Sequence, residues 1–185
     1  MTLAPSTPEL TVGTLAPAYS HAWQAAAQYA PKATLKGYRH TTAILQAFIS
    51  REIQQAVIPV YNTRESGSNE YFHLFNQLRE GFWIDNLVLP VSLSLGVINQ
   101  DTHPEELHTL FGRRAVFRQC EEYISRIFPN AALTSVHDID NAADRIRQEK
   151  LKNQGIIDTA EMLTAHGLSI AEQDVAPHNR TRYAI

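Results

Sequence analysis

Cysteine is almost absent: Cys120 stands alone among 185 residues. One thiol excludes an internal disulfide and any cysteine-based zinc cage, and it fits a reducing cytoplasm. An excess of one charge is missing as well. With 16 Lys and Arg against 19 Asp and Glu, the net charge is -3, which offers no broad field for nucleic acid or an acidic membrane. Partners are therefore expected to be local and specific. Long apolar runs are also lacking. The most apolar stretch, "IDNLVLPVSLSLGVI", is too short and too polar to span a bilayer. The opening "MTLAPSTPEL" has neither a basic n-region nor an apolar h-region, so no signal peptide is expected.

Several chemical signatures are missing too. GxGxxG, a Walker loop, GxSxG and HExxH do not occur. The histidines at 21, 40, 73, 103, 108, 137, 166 and 178 include no i, i+4 pair, so no transition-metal site is expected. Cys120 reads as a buried structural thiol in mid-helix, and Asp138 and Asp140 as capping and solvated charge. "ESGSNE" reads as a turn with a helix cap, although Ser66 to Asn69 would present free N–H groups at a helix start.

What is there describes a folded protein. Apolar residues make up 44% and charged residues 19%, and the length suits one domain or two small lobes. Strand-like and helix-like segments alternate. "LTVGTLA" precedes an Ala-rich helix over Ser20 to Ala30, capped by Ser20. The strand "ATLKGY" precedes a helix over Thr41 to Gln54 with Ile44, Leu45, Phe48 and Ile53 on one face. "AVIPVYN" reads as a buried strand of the parallel type, and "NEYFHLFNQLRE" as a helix. Two extended segments broken at Pro90 fit a crossing between lobes. "THPEELHTLFG" predicts a short helix with Thr102 and Glu105 spaced as a capping box. A longer helix is expected over Arg113 to Phe128, then the strand "AALTSV" and a helix burying Ile139, Ala142, Ala143 and Ile146. "GIID", a helix stopped at Gly167, "LSIAEQDV" and the closing "HNRTRYAI" complete an α/β pattern with mostly parallel sheets.

Two basic clusters stand out. Arg113 and Arg114 begin a helix, where a cation opposes the macrodipole; such a conflict can mark a binding role or only a solvated face. Arg180 and Arg182 flank Thr181 on a strand, so both arginines point away from the threonine's face. A guanidinium can grip a carboxylate with two nitrogens, which suits a carboxylate site; a charged edge strand is the other reading.

Five segments, in order, resemble the prephenate dehydratase family. "LAPAYSHAWQAA" is similar to LGPxGTFSxxAA, and "VIPVYNTRESGS" to VPIENSxxGS. "RQCEEYI" looks like the AxQC helix, "GIIDTAEMLTAHGL" like AAIxxxxAAxxYGL, and the tail "NRTRYAI" like NxTRF. The likeness runs from Leu10 to Ile185. It implies a two-lobed, type II periplasmic-binding-protein-like catalytic domain with its site in the interlobe cleft. The first lobe would span about 10–88 and 168–185, the second about 89–167.

The departures qualify this. A Gly-Thr is missing between Ala18 and Tyr19, the glutamate of PIEN is Tyr61, and SHPQ becomes "GRRA". The Ser-Thr pair near residue 135 is blurred into "TSVHD", and no regulatory ACT domain is expected beyond the tail. Together they resemble prephenate decarboxylases of the bacilysin and aeruginosin type. The resemblance then implies cytoplasmic, non-aromatising decarboxylation of prephenate in antibiotic or other specialised peptide metabolism. An unregulated dehydratase giving phenylpyruvate, favoured by the retained Thr181, is the alternative, and a non-catalytic carboxylate-binding module is a third reading. In this scheme Arg182 holds a substrate carboxylate, with Arg113 or Arg114 as a second clamp. Asn62, Thr63 and Thr181 orient the ring and its hydroxyl, and Ser20 and His21 face the pyruvyl group. Tyr61 either replaces an acid or fills core volume. Neither a metal nor an organic cofactor is expected, and the sequence leaves a homodimer open.

Overall fold

The structure, a computed structural model, describes residues 10–18, 20–65, 81–137 and 139–185. Its backbone divides into two compact units. The first comprises Met1–Tyr61, Gly67–Leu89 and Thr181–Ile185; the second comprises Asn62–Ser66 and Pro90–Arg180. Residues 168–180 therefore belong with the second unit, not with the first lobe as the sequence suggested. The reason is pairing: the strand Ser169–Glu172 bonds to Ser94–Val97 of that unit.

In the first unit, β1 (Thr11–Leu15) is flanked by β2 (Thr34–Tyr38) and β3 (Gln55–Ala56), both parallel to it. Helix α1 (His21–Tyr29) buries Ala22, Ala25 and Ala26, an i, i+3, i+4 stripe small enough for close approach. Those alanines pack with Val12, Val57, Tyr183 and Ile185. Helix α2 (Thr41–Ile49) buries Ile44 and Leu45. It stops short of the expected Gln54 because Arg51 adopts a left-handed φ of 61°, which an α-helix cannot continue. Ile53 is still buried, but from the loop. The expected single strand Ala56–Asn62 is divided. Ala56 ends β3 on β1, Val57 intervenes, and β4 (Ile58–Asn62) joins a different sheet of order β4-β11-β5, with β5 (Asn86–Pro90) and β11 (Arg180–Ala184).

The second unit is built on a five-stranded sheet. Its strands are β6 (Ser94–Val97), β7 (Thr109–Gly112), β8 (Ala132–Ser135), β9 (Gln154–Asp158) and β10 (Ser169–Glu172), in the order β10-β6-β9-β7-β8. β8, β7 and β9 run parallel, while β6 runs antiparallel to both β9 and β10, so the sheet is mixed. Its apolar residues, among them Leu95, Leu110 and Ile157, form a core with α3 (Arg114–Gln119) and α4 (Glu121–Ile127). On a second cluster, α5 (Ile139–Gln148) buries Ile139, Ala142, Ala143 and Ile146 as its periodicity predicts. Helix α6 (Ala160–Ala165) is capped by Thr159, whose hydroxyl accepts from Met162 N, and ends before Gly167 at φ 71°.

Two helix expectations fail here. The segment 102–112 is a 3-10 turn (Pro104–Glu106) followed by β7, and no capping box forms; Thr102 Oγ1 instead donates to Asn99 Oδ1 at 2.9 Å. The helix expected over Arg113 to Phe128 is broken at Cys120, whose φ of -101° and ψ of 12° leave the helical region. The helix expected at 69–80, the N–H groups of 66–69 and Asp138 lie outside the described residues. Among the described residues, no helix is long and apolar enough to cross a membrane.

Ser20 is occupied structurally. Its Oγ accepts from Trp23 N at 3.2 Å and donates to Leu15 O at 3.1 Å, tying α1 to the end of β1. Ser20→Ala should therefore lower unfolding free energy by about 1 kcal/mol in urea titrations, the usual size of a lost N-cap.

Candidate functional site

The site residues expected from sequence fall in both units. In the first unit, Ser20 and His21 stand at the start of α1. Tyr61 is near the end of β4 and is 55% exposed, so it does not fill core volume. On the neighbouring strand β11, burial alternates: Arg180 and Arg182 are exposed, Thr181 and Tyr183 buried. Thr181 shares a hydrogen bond with the Tyr183 phenol, whose pKa is driven upward mainly by burial.

The second unit gathers three of the sequence segments into one polar chain. Asn62 Nδ2 donates to Asn179 Oδ1 at 2.8 Å, and Asn179 Nδ2 donates to Gln119 Oε1 at 2.9 Å. Asn62 Oδ1 accepts from Arg64 N at 2.8 Å, which fixes the orientation of the first amide and hence of the whole relay. Asn62 and Asn179 are buried, so these bonds satisfy groups that would otherwise be costly. Thr63 Oγ1 donates to His178 O at 3.0 Å and accepts from Arg180 N at 2.9 Å. Its hydroxyl thus pins the start of β11. Arg64 donates through Nε to Pro177 O at 3.0 Å and through Nη1 to Glu122 Oε2 at 2.8 Å. Arg118 pairs with Glu65 through both Nε and Nη2. Gln119 and Asn179 lay inside the quoted motifs, yet nothing in their spacing singled them out.

Arg113 and Arg114 separate. Arg114 is an exposed first residue of α3. Arg113 occupies the N-cap position without capping; its Nη2 instead reaches both oxygens of Asp158, at 2.9 and 3.0 Å. Asp158 is fully buried and also accepts from Thr159 N at 2.8 Å. The charge that opposed the helix dipole is therefore neutralised by a carboxylate. The sequence signal was available: an acid closing the apolar run "GIID" directly before an N-cap threonine. Gly112, Ser135 and Asp158 end the three parallel strands, and it is at the carboxyl ends of parallel strands that ligands gather in α/β folds.

Cys120 is buried, and desolvation pushes its thiol up to about 12, so it is no nucleophile near neutral pH. Tyr123 donates to Glu172 Oε2 at 2.7 Å; burial first, then that bond, raises its pKa. Among the described residues, no group of three His, Cys, Asp or Glu could hold a metal ion.

The family model described as prephenate dehydratase matches residues 12–185. The chain belongs to the prephenate dehydratase family. No curated protein matches it. Among solved structures, the prephenate dehydratase from Arthrobacter aurescens in complex with L-Phe is 18% identical with a TM-score of 0.70, covering 95% of this chain and 58% of that one. The prephenate dehydratase from Staphylococcus aureus subsp. aureus Mu50 gives 18% identity and a TM-score of 0.69, over 95% of this chain and 64% of that one. GqqA, described as a novel type of quorum quenching acylase, gives 16% identity and a TM-score of 0.67, over 94% and 62%. At these identities the likeness is one of fold, including its periplasmic-binding-protein-like relatives. An amino acid ABC transporter substrate-binding protein from Streptococcus pneumoniae, bound to L-arginine, aligns with a TM-score of 0.52 at 13% identity, over 95% of this chain and 80% of that one. The chain spans between 58% and 64% of the first three structures' lengths.

The amide relay makes one direct prediction. Asn179→Ala removes the bond from Asn62 Nδ2 and the bond to Gln119 Oε1 from a buried relay, and it should cost about 1–3 kcal/mol in chemical denaturation.

Proposed function

We propose that this chain acts on prephenate, removing the ring carboxyl group without aromatising the ring. Family membership supports the substrate class. The observation that carries the finer reading is position 61, where the family-like segment would hold a glutamate and this chain presents an exposed tyrosine.

Prephenate holds a ring carboxylate, a pyruvyl side chain and a ring hydroxyl on a diene. Dehydration breaks the C–COO bond and sends its electron pair through the ring to expel the hydroxyl, which needs a proton from an acid. Non-aromatising decarboxylation breaks the same bond, but the electron pair is trapped by a proton on a ring carbon and the hydroxyl stays. A phenol is a weaker acid than a carboxyl, so replacing glutamate by Tyr61 withdraws a strong acid from the family-like segment. In this reading Arg182, exposed on β11, grips a substrate carboxylate, Arg113 or the exposed Arg114 serves as a second clamp, and Asn62 and Thr63 with their bonded neighbours orient the ring. Thr181 and His21 are the further candidates for contact with the reacting groups, and Ser20 for contact with the pyruvyl group.

Dehydration is the second reading, and Thr181 followed by Arg182 favours it, because the resemblance assigns hydroxyl departure to that threonine. Specialised peptide metabolism, a cytoplasmic setting and assembly as a homodimer accompany the first reading as proposals.

The test is incubation of the chain with prephenate. The expected product is a dihydro-4-hydroxyphenylpyruvate, identified by mass and NMR together with released carbon dioxide. Phenylpyruvate, seen by its absorbance in alkali, would establish the dehydratase instead, and untouched prephenate would leave a binding module. Arg182→Ala should lower kcat/KM by about tenfold or more while the far-UV spectrum stays unchanged, the scale of one lost charge-assisted bond.

A further inference from the structure

The Arg113–Asp158 pair has an unusual geometry for a contact that serves folding alone. A stability-driven arginine–carboxylate pair gains most as a fork, with two nitrogens on two oxygens. Here one nitrogen, Nη2, serves both oxygens. Arg113 Nε is buried and has no hydrogen-bond partner, although a side-on fork would have used it. The burial is also lopsided: the Asp158 side chain is 1% exposed and that of Arg113 30%. A buried ion pair is at best weakly stabilising compared with apolar packing, so stability is a poor reason for its presence. Asp158 thus holds the guanidinium by one corner, at the carboxyl ends of β7 and β9, while the Arg113 side chain keeps part of its surface open to solvent.

We propose that Asp158 is a positioning residue that fixes Arg113 to receive a ligand carboxylate at the carboxyl edge of β7, β8 and β9. This rests on the proposed function, in which the ligand is a dianionic acid. The N–H of Thr159 and the carboxylate of Asp158 lock the anchor, and the guanidinium nitrogens that Asp158 does not use are the recognition element. A planar cation held this way loses little rotamer freedom when the ligand arrives.

Steady-state kinetics with prephenate on Asp158→Asn test this, because asparagine retains an acceptor for Thr159 N–H. KM should rise by about tenfold or more with a smaller change in kcat, since the lost contact serves binding. A purely structural Asp158 would lower the unfolding midpoint and leave KM where it was, and that result overturns the inference. If Asp158→Asn does not fold, Arg113→Lys decides. Lysine keeps the charge but lacks the planar fork whose one corner rests on Asp158 while its other nitrogens face the ligand, so an unchanged KM there also overturns the assignment. A wild-type chain that neither converts prephenate nor binds it in calorimetry overturns the proposed function, and this inference with it.

Discussion

A buried amide must be hydrogen-bonded, and that constraint organises the second unit where residues 62–66 meet residues 177–180. Asn62 and Asn179 are both buried, so each needs partners that water cannot supply. They find them in each other, in Gln119 and in Arg64 N. Because Asn62 Oδ1 accepts from a backbone N–H, the relay can run in only one direction. Thr63 repeats the logic with a hydroxyl that both donates to His178 O and accepts from Arg180 N. Two segments more than a hundred residues apart in sequence are thereby held at fixed separation, and β11 starts from a determined position.

Charge is arranged around this relay by depth. Glu122, the partner of Arg64, is 82% exposed, so that pair contributes little in water. The Pro177 carbonyl, which takes two nitrogens of the same guanidinium, fixes Arg64 more firmly than the ion pair does. Arg113–Asp158 lies at the other extreme, with a carboxylate shut away from solvent. Removing one member there leaves a desolvated charge, which is why the pair behaves as a unit. Cys120, between α3 and α4, sits in apolar surroundings that suppress its ionisation, so the chemistry of this neighbourhood belongs to amides, hydroxyls and guanidiniums.

Much of the fold was legible because local signals were strong. The periodic spacing of Ile139, Ala142, Ala143 and Ile146, the Ser20 cap and the stop at Gly167 each act over a few residues. The break at Cys120 was not legible, since neither glycine nor proline marks it. The β7 strand hid inside a helical-looking segment because Thr109 to Gly112 is too short for period to speak. The division of 55–62 between two sheets was equally invisible, as one apolar run can serve two neighbours in turn.

For the candidate site, sequence decided which chemistry was available and tertiary structure decided which groups could cooperate. Motif order was enough to place the chain in its family and to single out Asn62, Thr63, Thr181 and Arg182, while Arg113 and Arg114 stood out as a basic pair at a helix start. The burial alternation on β11 also follows from sequence, because a strand repeats every two residues. Partnership does not follow from sequence, since Asn179, Gln119 and Asp158 gain their roles from contacts across 45 to 117 residues. Such contacts depend on how separate strands register and on which polar groups become desolvated. A linear reading can list donors and acceptors, but only the folded chain determines which of them lose water and must pair.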